Sequence, residues 1–376
     1  MKLINIDIYQ LNEILKGKKL ACFGAGRMLR SFTDYFGVDF AKKIEFVIDN
    51  NQKKQNTCMK LFDQSVDIIS VERFCSNYHV EDYIILIALA DAVSVFEQLQ
   101  QIEQLKDIEC CMAMFVRGKT NETDERNRYY PTRLRMYDKP IIPKTIHYCW
   151  FGGKEIPEHY KVWIASWKKY CPDYEIVEWN ESNYDITKNA YMYEAYKAKK
   201  WGFVPDYARM DIIYQHGGIY LDTDVEVIKN LDELLYQDAF VGVTGSKNIS
   251  LGLGFGAIPK YQLMKDLMDC YNDRHFYLPD GSIDMTTAPA FQTPFFQKLG
   301  YVKNGEYQKI GNLSVYPEKV LSGKCMYIGR ISPTKDTFMI HHYDGSWTVD
   351  EEKMRTKKMY ELYKEICDRE WCEMKS

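Results

Sequence analysis

Between residues 216 and 225 the chain reads His216-Gly217-Gly218-Ile219-Tyr220-Leu221-Asp222-Thr223-Asp224-Val225. A Gly pair breaks what precedes it, a short strand-like run follows, and two carboxylates stand two residues apart at its end. Carboxylates are hard oxygen donors, and Mg²⁺ or Mn²⁺ held by one or two of them plus substrate phosphates is a common arrangement. A divalent ion here would offset the charge of a diphosphate leaving group. Taken by itself, Asp-Thr-Asp describes a solvated strand end equally well, so its neighbours decide.

The preceding stretch, Phe203 to Tyr214, predicts a helix. Pro205 suits a first turn, apolar residues recur at three and four, and the Gly pair ends it. Asp206 and Arg209 are three apart and share a face. They make either a surface ion pair worth a few tenths of a kcal/mol or a helix presenting an acid for sugar hydroxyls and a guanidinium for charge.

Asp206-x-x-Arg209, followed by Tyr214-x-x-Gly217-Gly218-x-Tyr220-x-Asp222-x-Asp224, resembles the core of the family 32 glycosyltransferases. These are sugar transferases with a DXD motif, related to the glucosylating domains of the large clostridial toxins. Ile142-Pro143-Lys144-Thr145-Ile146-His147-Tyr148-Cys149-Trp150-Phe151-Gly152-Gly153 is similar to the family's opening strand and donor-base loop. His341-His342-Tyr343-Asp344-Gly345-Ser346-Trp347 is similar to its closing motif. The three lie in the family's order.

The resemblance implies a GT-A-like α/β domain that binds a nucleotide sugar, with a UDP-sugar favoured, and that requires Mn²⁺ or Mg²⁺. Trp150 occupies the place of the indole that stacks on the donor base, an interaction worth ~1–3 kcal/mol for any base, and Gly152 lies in the same donor loop. Asp222 would contact ribose and donor sugar and help hold the metal. Asp224 would bind the metal, and His342 resembles a histidine metal ligand of related retaining transferases. Asp206 and Arg209 would hold the sugar. Ser346 would line the metal or phosphates, and Trp347 would give its indole N–H to the glycosidic phosphate oxygen. Read from the residues without the resemblance, Trp150 packs in a core equally well. In that reading His341 and His342 satisfy backbone groups near a loop, and Trp347 anchors a lid.

Two segments depart from the family pattern. An Asn expected after the DXD strand is replaced by Leu251-Gly252-Leu253-Gly254-Phe255-Gly256-Ala257, and the acceptor-side Thr-Gly-Pro reads Thr287-Ala288-Pro289. Both fall where donor sugar or acceptor would sit, so they bear on which substrate is used.

The remaining sequence sets bounds. Residues 1–116 form a separate Rossmann-like unit: strand Lys19–Phe23, then Gly24-Ala25-Gly26, a helix, and a strand ending in Asp49. This begins a dinucleotide pattern, but the third glycine position is Leu29. A structural or docking domain is the preferred reading, with an NAD-linked sugar-modifying enzyme at Gly24, Gly26 and Asp49 as the alternative. Residues 117–139 are charged, lack apolar periodicity and read as a linker, leaving 140–376 as the transferase domain with a C-terminal helix. That helix, about Asp350 to Met374, packs on its own domain or lies at a membrane surface, although Glu351, Glu352, Asp368, Glu370 and Glu373 weaken attraction to anionic lipid.

A net charge of −4 gives no electrostatic case for nucleic acid. Eleven cysteines form no CxxC pair, so neither a zinc ribbon nor a complete disulfide framework is expected. No segment reaches the ~18 apolar residues of a membrane span, and no cleavable leader is read at the N-terminus. The expectation is a cytoplasmic bacterial enzyme, at or near the inner membrane face. It would transfer a hexose with retention to a hydroxyl of a surface glycan such as a capsular or exopolysaccharide, free or lipid-linked.

Overall fold

The computed structural model describes residues 1–127, 135–345 and 348–373. The chain divides into two compact units, one of Met1–Asn127, Tyr327–Gly329 and Val349–Ser376, the other of Arg128–Met326 and Arg330–Thr348.

The first unit runs β1 (Lys2–Leu3), α1 (Ile8–Ile14), β2 (Lys19–Phe23), α2 (Arg27–Phe36), α3 (Val38–Ala41), β3 (Ile44–Ile48), β4 (Thr57–Leu61), β5 (Gln64–Ile69), α4 (Val71–Asn77), β6 (Tyr83–Ile87), α5 (Ala92–Gln100), β7 (Glu109–Met112) and α6 (Ala113–Asn127). Its sheet has the order β1-β7-β6-β2-β3-β5-β4. Every pairing is parallel except β4 with β5. Strands such as Leu20–Phe23 and Tyr83–Ile87 are buried throughout, as a parallel sheet covered on both faces requires.

The Gly24-Ala25-Gly26 turn follows β2 and the Asp49 carboxylate follows β3, as the dinucleotide pattern expects. However, that carboxylate accepts the backbone N–H of Ala25 at 2.8 Å and of Asn51 at 2.8 Å, and it meets Lys54 Nζ at 3.2 Å. The acid that would take ribose hydroxyls is spent on holding its own loop.

Two boundaries differ from the sequence expectation. The charged segment beginning at 117 is helical through Asn127, as α6. Its polar residues are spent inward: Arg117 donates to the Ser31 carbonyl at 2.6 Å, Thr120 Oγ1 accepts from the Ile8 N–H at 2.9 Å, and Thr123 Oγ1 donates to Asp7 at 3.0 Å. A helix buried through hydrogen bonds leaves no apolar stripe for periodicity to find. The rest of the expected linker falls partly on residues 128–134, outside the described residues. The C-terminal helix (Asp350–Glu373) belongs with the first unit rather than with the transferase domain. Tyr363 meets the Phe115 ring edge-on at 5.0 Å, Met359 and Ile366 are buried, and Glu370 accepts from Asn5 at 3.1 Å. Among the described residues no helix is long and apolar enough to cross a membrane.

The second unit runs β8 (Thr145–Cys149), α7 (Glu158–Tyr170), β9 (Glu175–Trp179), α8 (Ala190–Lys197), α9 (Pro205–His216), β10 (Gly218–Tyr220), β11 (Val225–Val227), β12 (Ala239–Val243), β13 (Ile249–Ala257), α10 (Gln262–Asp269), α11 (Ala288–Lys298), β14 (Gln308–Ile310), β15 (Leu313–Tyr316), α12 (Glu318–Leu321) and β16 (Met339–His341). Its main sheet has the order β14-β15-β12-β13-β10-β8-β9, and β11 pairs with β16 in a separate ribbon. This is the mixed α/β organisation expected of a GT-A-like domain. β8, β9 and β10 are mutually parallel, while β13 runs antiparallel to both β10 and β12.

Two of these pairings position the site. Because β8 and β10 are parallel neighbours, the loops leaving their carboxyl ends, Trp150–Gly153 and Leu221–Asp224, emerge on the same edge of the sheet. Ligands of open α/β sheets characteristically bind along such an edge. The backbone comes close to reach this register: at Gly218 (φ +95°) a Cβ would stand 2.7 Å from the Thr145 carbonyl and 3.0 Å from His147 Nε2. The Gly pair therefore ends α9 and also lets β10 lie against β8.

Candidate active site

The two DXD acids lie between β10 and β11, and the other elements converge on them. α9 presents Asp206 in its first turn and Arg209 one turn later, both buried. Arg209 donates to Asp206 Oδ1 at 3.0 Å and to the Pro205 carbonyl at 2.9 Å, and its Nη1 faces Asp222 Oδ2 at 3.5 Å. The guanidinium also lies 5.2 Å from the Tyr220 ring centroid. This is not the weak surface pair of the bland reading. Burial works against the charge of Arg209, but Asp222, Tyr220 and Asp206 together hold it more firmly protonated than usual. Burial pushes the Asp206 carboxyl up to about 6, with Arg209 and Arg274 pulling it back.

β13 brings Gly252 against this clamp. A Cβ there would stand 2.3 Å from Asp222 Oδ2 and 2.9 Å from Arg209 Nη1. The segment that departs from the family pattern is thus glycine-bearing where the charged pair needs the room.

The β11–β16 ribbon supplies the other wall. Val225 pairs with His341, which sets His341 Nε2 3.3 Å from Asp224 Oδ1. Asp224 is oriented by backbone: its Oδ2 accepts the Asp344 N–H at 3.0 Å, and its carbonyl accepts the His342 N–H at 2.8 Å. Donor atoms of Asp222, Asp224 and His341 all lie within 4.8 Å of one another. Burial pushes the His341 imidazole down to about 4, so the ring is neutral at neutral pH; its Nδ1 accepts the Tyr343 N–H at 3.2 Å, which puts its one proton on Nε2, toward Asp224. Burial also raises both DXD carboxyls. The two carboxylates suit Mn²⁺ or Mg²⁺, and His341 adds a nitrogen ligand, better matched to Mn²⁺ than to Mg²⁺, once its ring gives up the Tyr343 N–H so that Nε2 is bare.

The histidine beside the carboxylates is His341, not the His342 expected from the sequence. His342 is turned the other way: its ring stacks on Trp163 at 4.2 Å and 11°, and its Nε2 faces Glu226 Oε2 at 2.9 Å. Adjacent residues at a strand end point to opposite sides, so only one of the pair can reach the carboxylates, and the ribbon register selects His341. Trp163 is the platform under His342, whereas Trp167, one turn further along α7, is fully buried.

Trp150 leaves β8 partly buried, donates its indole N–H to the Lys154 carbonyl at 2.6 Å, and lies 5.6 Å from Tyr160. Gly152 donates its N–H to Glu181 at 2.6 Å. Ser346 and Trp347 lie outside the described residues.

Several groups at the site carry no local motif. Tyr160 donates to the carboxylate of Asp344, a residue of the closing motif. Lys324 donates to the His342 carbonyl at 2.5 Å. The buried Arg274 donates through Nη2 and Nε to Asp284 Oδ2 at 2.7 and 3.1 Å and lies over the rings of Tyr191 and Phe291 at 4.1 and 3.9 Å. The Tyr191 hydroxyl, Arg274 Nη1 and Gln292 Oε1 are buried there with no hydrogen bond within 3.5 Å among the described residues.

Comparison with known proteins agrees with this geometry. Residues 157–241 match the family described as glycosyltransferase sugar-binding region containing DXD motif. The chain is 32% identical over 193 residues to inositol phosphoceramide mannosyltransferase 3 of Schizosaccharomyces pombe, covering 48% of this chain and 51% of that protein. It is 28% identical over 159 residues to mannosyl phosphorylinositol ceramide synthase SUR1 of Saccharomyces cerevisiae, covering 40% and 41%. The chain therefore spans about half the length of the curated relatives it matches or less. Among solved structures, the PaToxG glycosyltransferase overlaps 50% of this chain and 79% of its own at 16% identity and a TM-score of 0.35. Through residues 157–241, which hold Asp206, Arg209, Asp222 and Asp224, the chain carries a glycosyltransferase sugar-binding region of the DXD family.

Proposed function

We propose that this chain transfers a hexose from a nucleotide sugar to a hydroxyl of a glycan or glycolipid, with retention at the anomeric carbon. The observation that carries the reading is the convergence of Asp222, Asp224 and His341 within 4.8 Å, with Arg209 bridging Asp206 and Asp222 beside them. Asp222, Asp224 and His341 would hold a divalent cation, which would screen the charge that builds on the diphosphate as it leaves.

The chain's own residues do the rest. Arg209 is fixed by Asp206, Asp222 and the Pro205 carbonyl, so it is aimed before a donor arrives, and preorganised charge of this kind needs no rearrangement during reaction. Asp206 is the acceptor for donor-sugar hydroxyls. In transfer, the bond between the anomeric carbon and the diphosphate oxygen breaks, a bond to the acceptor oxygen forms on the same face, and the acceptor's proton passes to the departing phosphate.

A UDP-hexose is the donor expected from the sequence; relatives named for mannosyl transfer support adding a mannose donor, GDP-mannose, to the candidates. Those names also favour a lipid-borne acceptor over a capsular polysaccharide. A lipid acceptor would put the reaction at a membrane surface, consistent with the inner-face location expected from the sequence.

The test is nucleotide release from UDP-glucose, UDP-galactose, UDP-N-acetylglucosamine and GDP-mannose, with Mn²⁺ or EDTA, for wild type and Asp224→Asn. Metal-dependent release from one donor that disappears in the variant is the expected result. Absence of release and of metal-dependent donor binding across the panel would overturn the reading.

A further inference from the structure

Lys324 lies in no motif, yet the fold delivers its side chain to the centre of the site. Its backbone is fixed on both sides. Gly323 N–H donates to the Met339 carbonyl at 2.9 Å, Cys325 N–H donates to the Arg330 carbonyl at 2.9 Å, and Lys324 itself bridges to Ile331. The Ser322 hydroxyl donates to the Lys324 carbonyl at 3.2 Å. From this frame Nζ reaches the carbonyl of His342, the residue whose N–H is bonded to the Asp224 carbonyl. The side chain is half-buried, and its bond to the His342 carbonyl sets the ammonium beside the segment whose His342 and Asp344 N–H groups hold Asp224. Arg209 stands by Asp222, so Lys324 is a second fixed cation, placed on the Asp224 side.

We propose that Lys324 is a catalytic residue that binds the diphosphate of the donor and stabilises it as it departs. This inference rests on the nucleotide-sugar reading above. A donor diphosphate held through a cation at Asp222 and Asp224 would offer oxygens to the Asp224 side, where Lys324 provides a compact positive charge on a pinned backbone. Lysine acts on phosphate as a point charge and needs no bidentate geometry. As the anomeric carbon separates from the diphosphate oxygen, the electron pair of that bond stays on the oxygen, and a nearby ammonium offsets the new charge. The competing role is purely structural: Lys324 as a brace that keeps Asp224 and Asp344 from repelling each other.

The two roles separate by calorimetry on the full chain with UDP, GDP and UMP, in Mn²⁺ and in EDTA, for wild type, Lys324→Gln and Lys324→Arg. Loss of one charged hydrogen bond predicts that Lys324→Gln weakens binding of the preferred diphosphate roughly 10- to 100-fold. The defect should be absent for UMP, present with and without metal, and largely recovered by Lys324→Arg. Mn²⁺ affinity measured without nucleotide should be unchanged or higher in Lys324→Gln, because a cation has left the neighbourhood of Asp224. Unchanged diphosphate affinity in Lys324→Gln overturns the proposal, and so does an equal loss for UMP or a loss of Mn²⁺ affinity, which marks a brace. If wild type binds neither UDP nor GDP in Mn²⁺, the nucleotide-sugar reading itself falls, and the proposal with it.

Discussion

His147, on the strand that carries the donor loop, makes the second unit's stability depend on pH in a way the structure specifies. The ring is buried. One nitrogen, Nδ1, receives the indole N–H of Trp179 at 3.1 Å, and the other, Nε2, faces the Gly217 carbonyl at 3.0 Å. An indole nitrogen only donates and a carbonyl only accepts. The folded ring must therefore be neutral, with its proton on Nε2, because a second proton on Nδ1 would oppose the Trp179 N–H.

Burial pushes this imidazole from its ordinary 6.5 down to about 4, with the Gly217 carbonyl opposing and His216 adding to the shift. The unfolded chain thus binds a proton between those values that the folded chain refuses, so stability falls as the pH drops through the window. The full difference is worth about 3 kcal/mol, of which about 2 kcal/mol is expressed at pH 5. His341, also near 4, pulls the same way. Asp206, raised to about 6, opposes, since its folded form holds a proton that the unfolded chain releases. Comparison with His147→Gln, which keeps a donor and an acceptor but does not titrate, removes both of these contributions. Guanidinium unfolding at pH 7.5 and pH 5, followed by tryptophan fluorescence, should show wild type losing about 2 kcal/mol more than the variant. Equal losses would refute the assigned proton and the neutral ring.

Two further substitutions test the site's construction. Gly252→Ala would push a methyl into Asp222 and Arg209; donor hydrolysis should fall on the order of 10²-fold through misplacement, while the far-ultraviolet circular dichroism spectrum stays that of wild type. Tyr191→Phe removes a buried hydroxyl that makes no bond within 3.5 Å among the described residues yet lies close enough to Asp206 to favour its charged form; thermal unfolding should change by less than about 1 kcal/mol, and a larger loss would mean that it is a full hydrogen bond.

The parts of the site legible in the sequence were those contained in single segments. Asp206, Arg209, Asp222 and Asp224 lie within 19 consecutive positions, and α9, the Gly pair and β10 each follow from local chemistry. What the sequence could not provide was register. His341 and His342 are equivalent as letters, and only the pairing of Val225 with His341 tells them apart. Arg274 and Lys324 are invisible for a related reason: each stands in an unremarkable stretch, and strand order rather than a motif brings them to the acids. α6 was missed for the opposite reason, since its polar residues looked like linker chemistry until their partners Ser31, Ile8 and Asp7 were known.

The way Asp224 is held decides which substitution reports on its charge. Its carboxylate accepts the Asp344 N–H and its carbonyl accepts the His342 N–H, so the closing segment is tied to the DXD acid by backbone bonds before any ligand binds. Asp224→Ala would leave the Asp344 N–H without its acceptor and loosen that segment, mixing a structural loss with a chemical one. Asp224→Asn keeps a carbonyl oxygen in place for the same N–H while removing the negative charge. A defect in Asp224→Asn therefore belongs to charge at the site, and any additional defect in Asp224→Ala measures how far activity depends on the closing segment being docked.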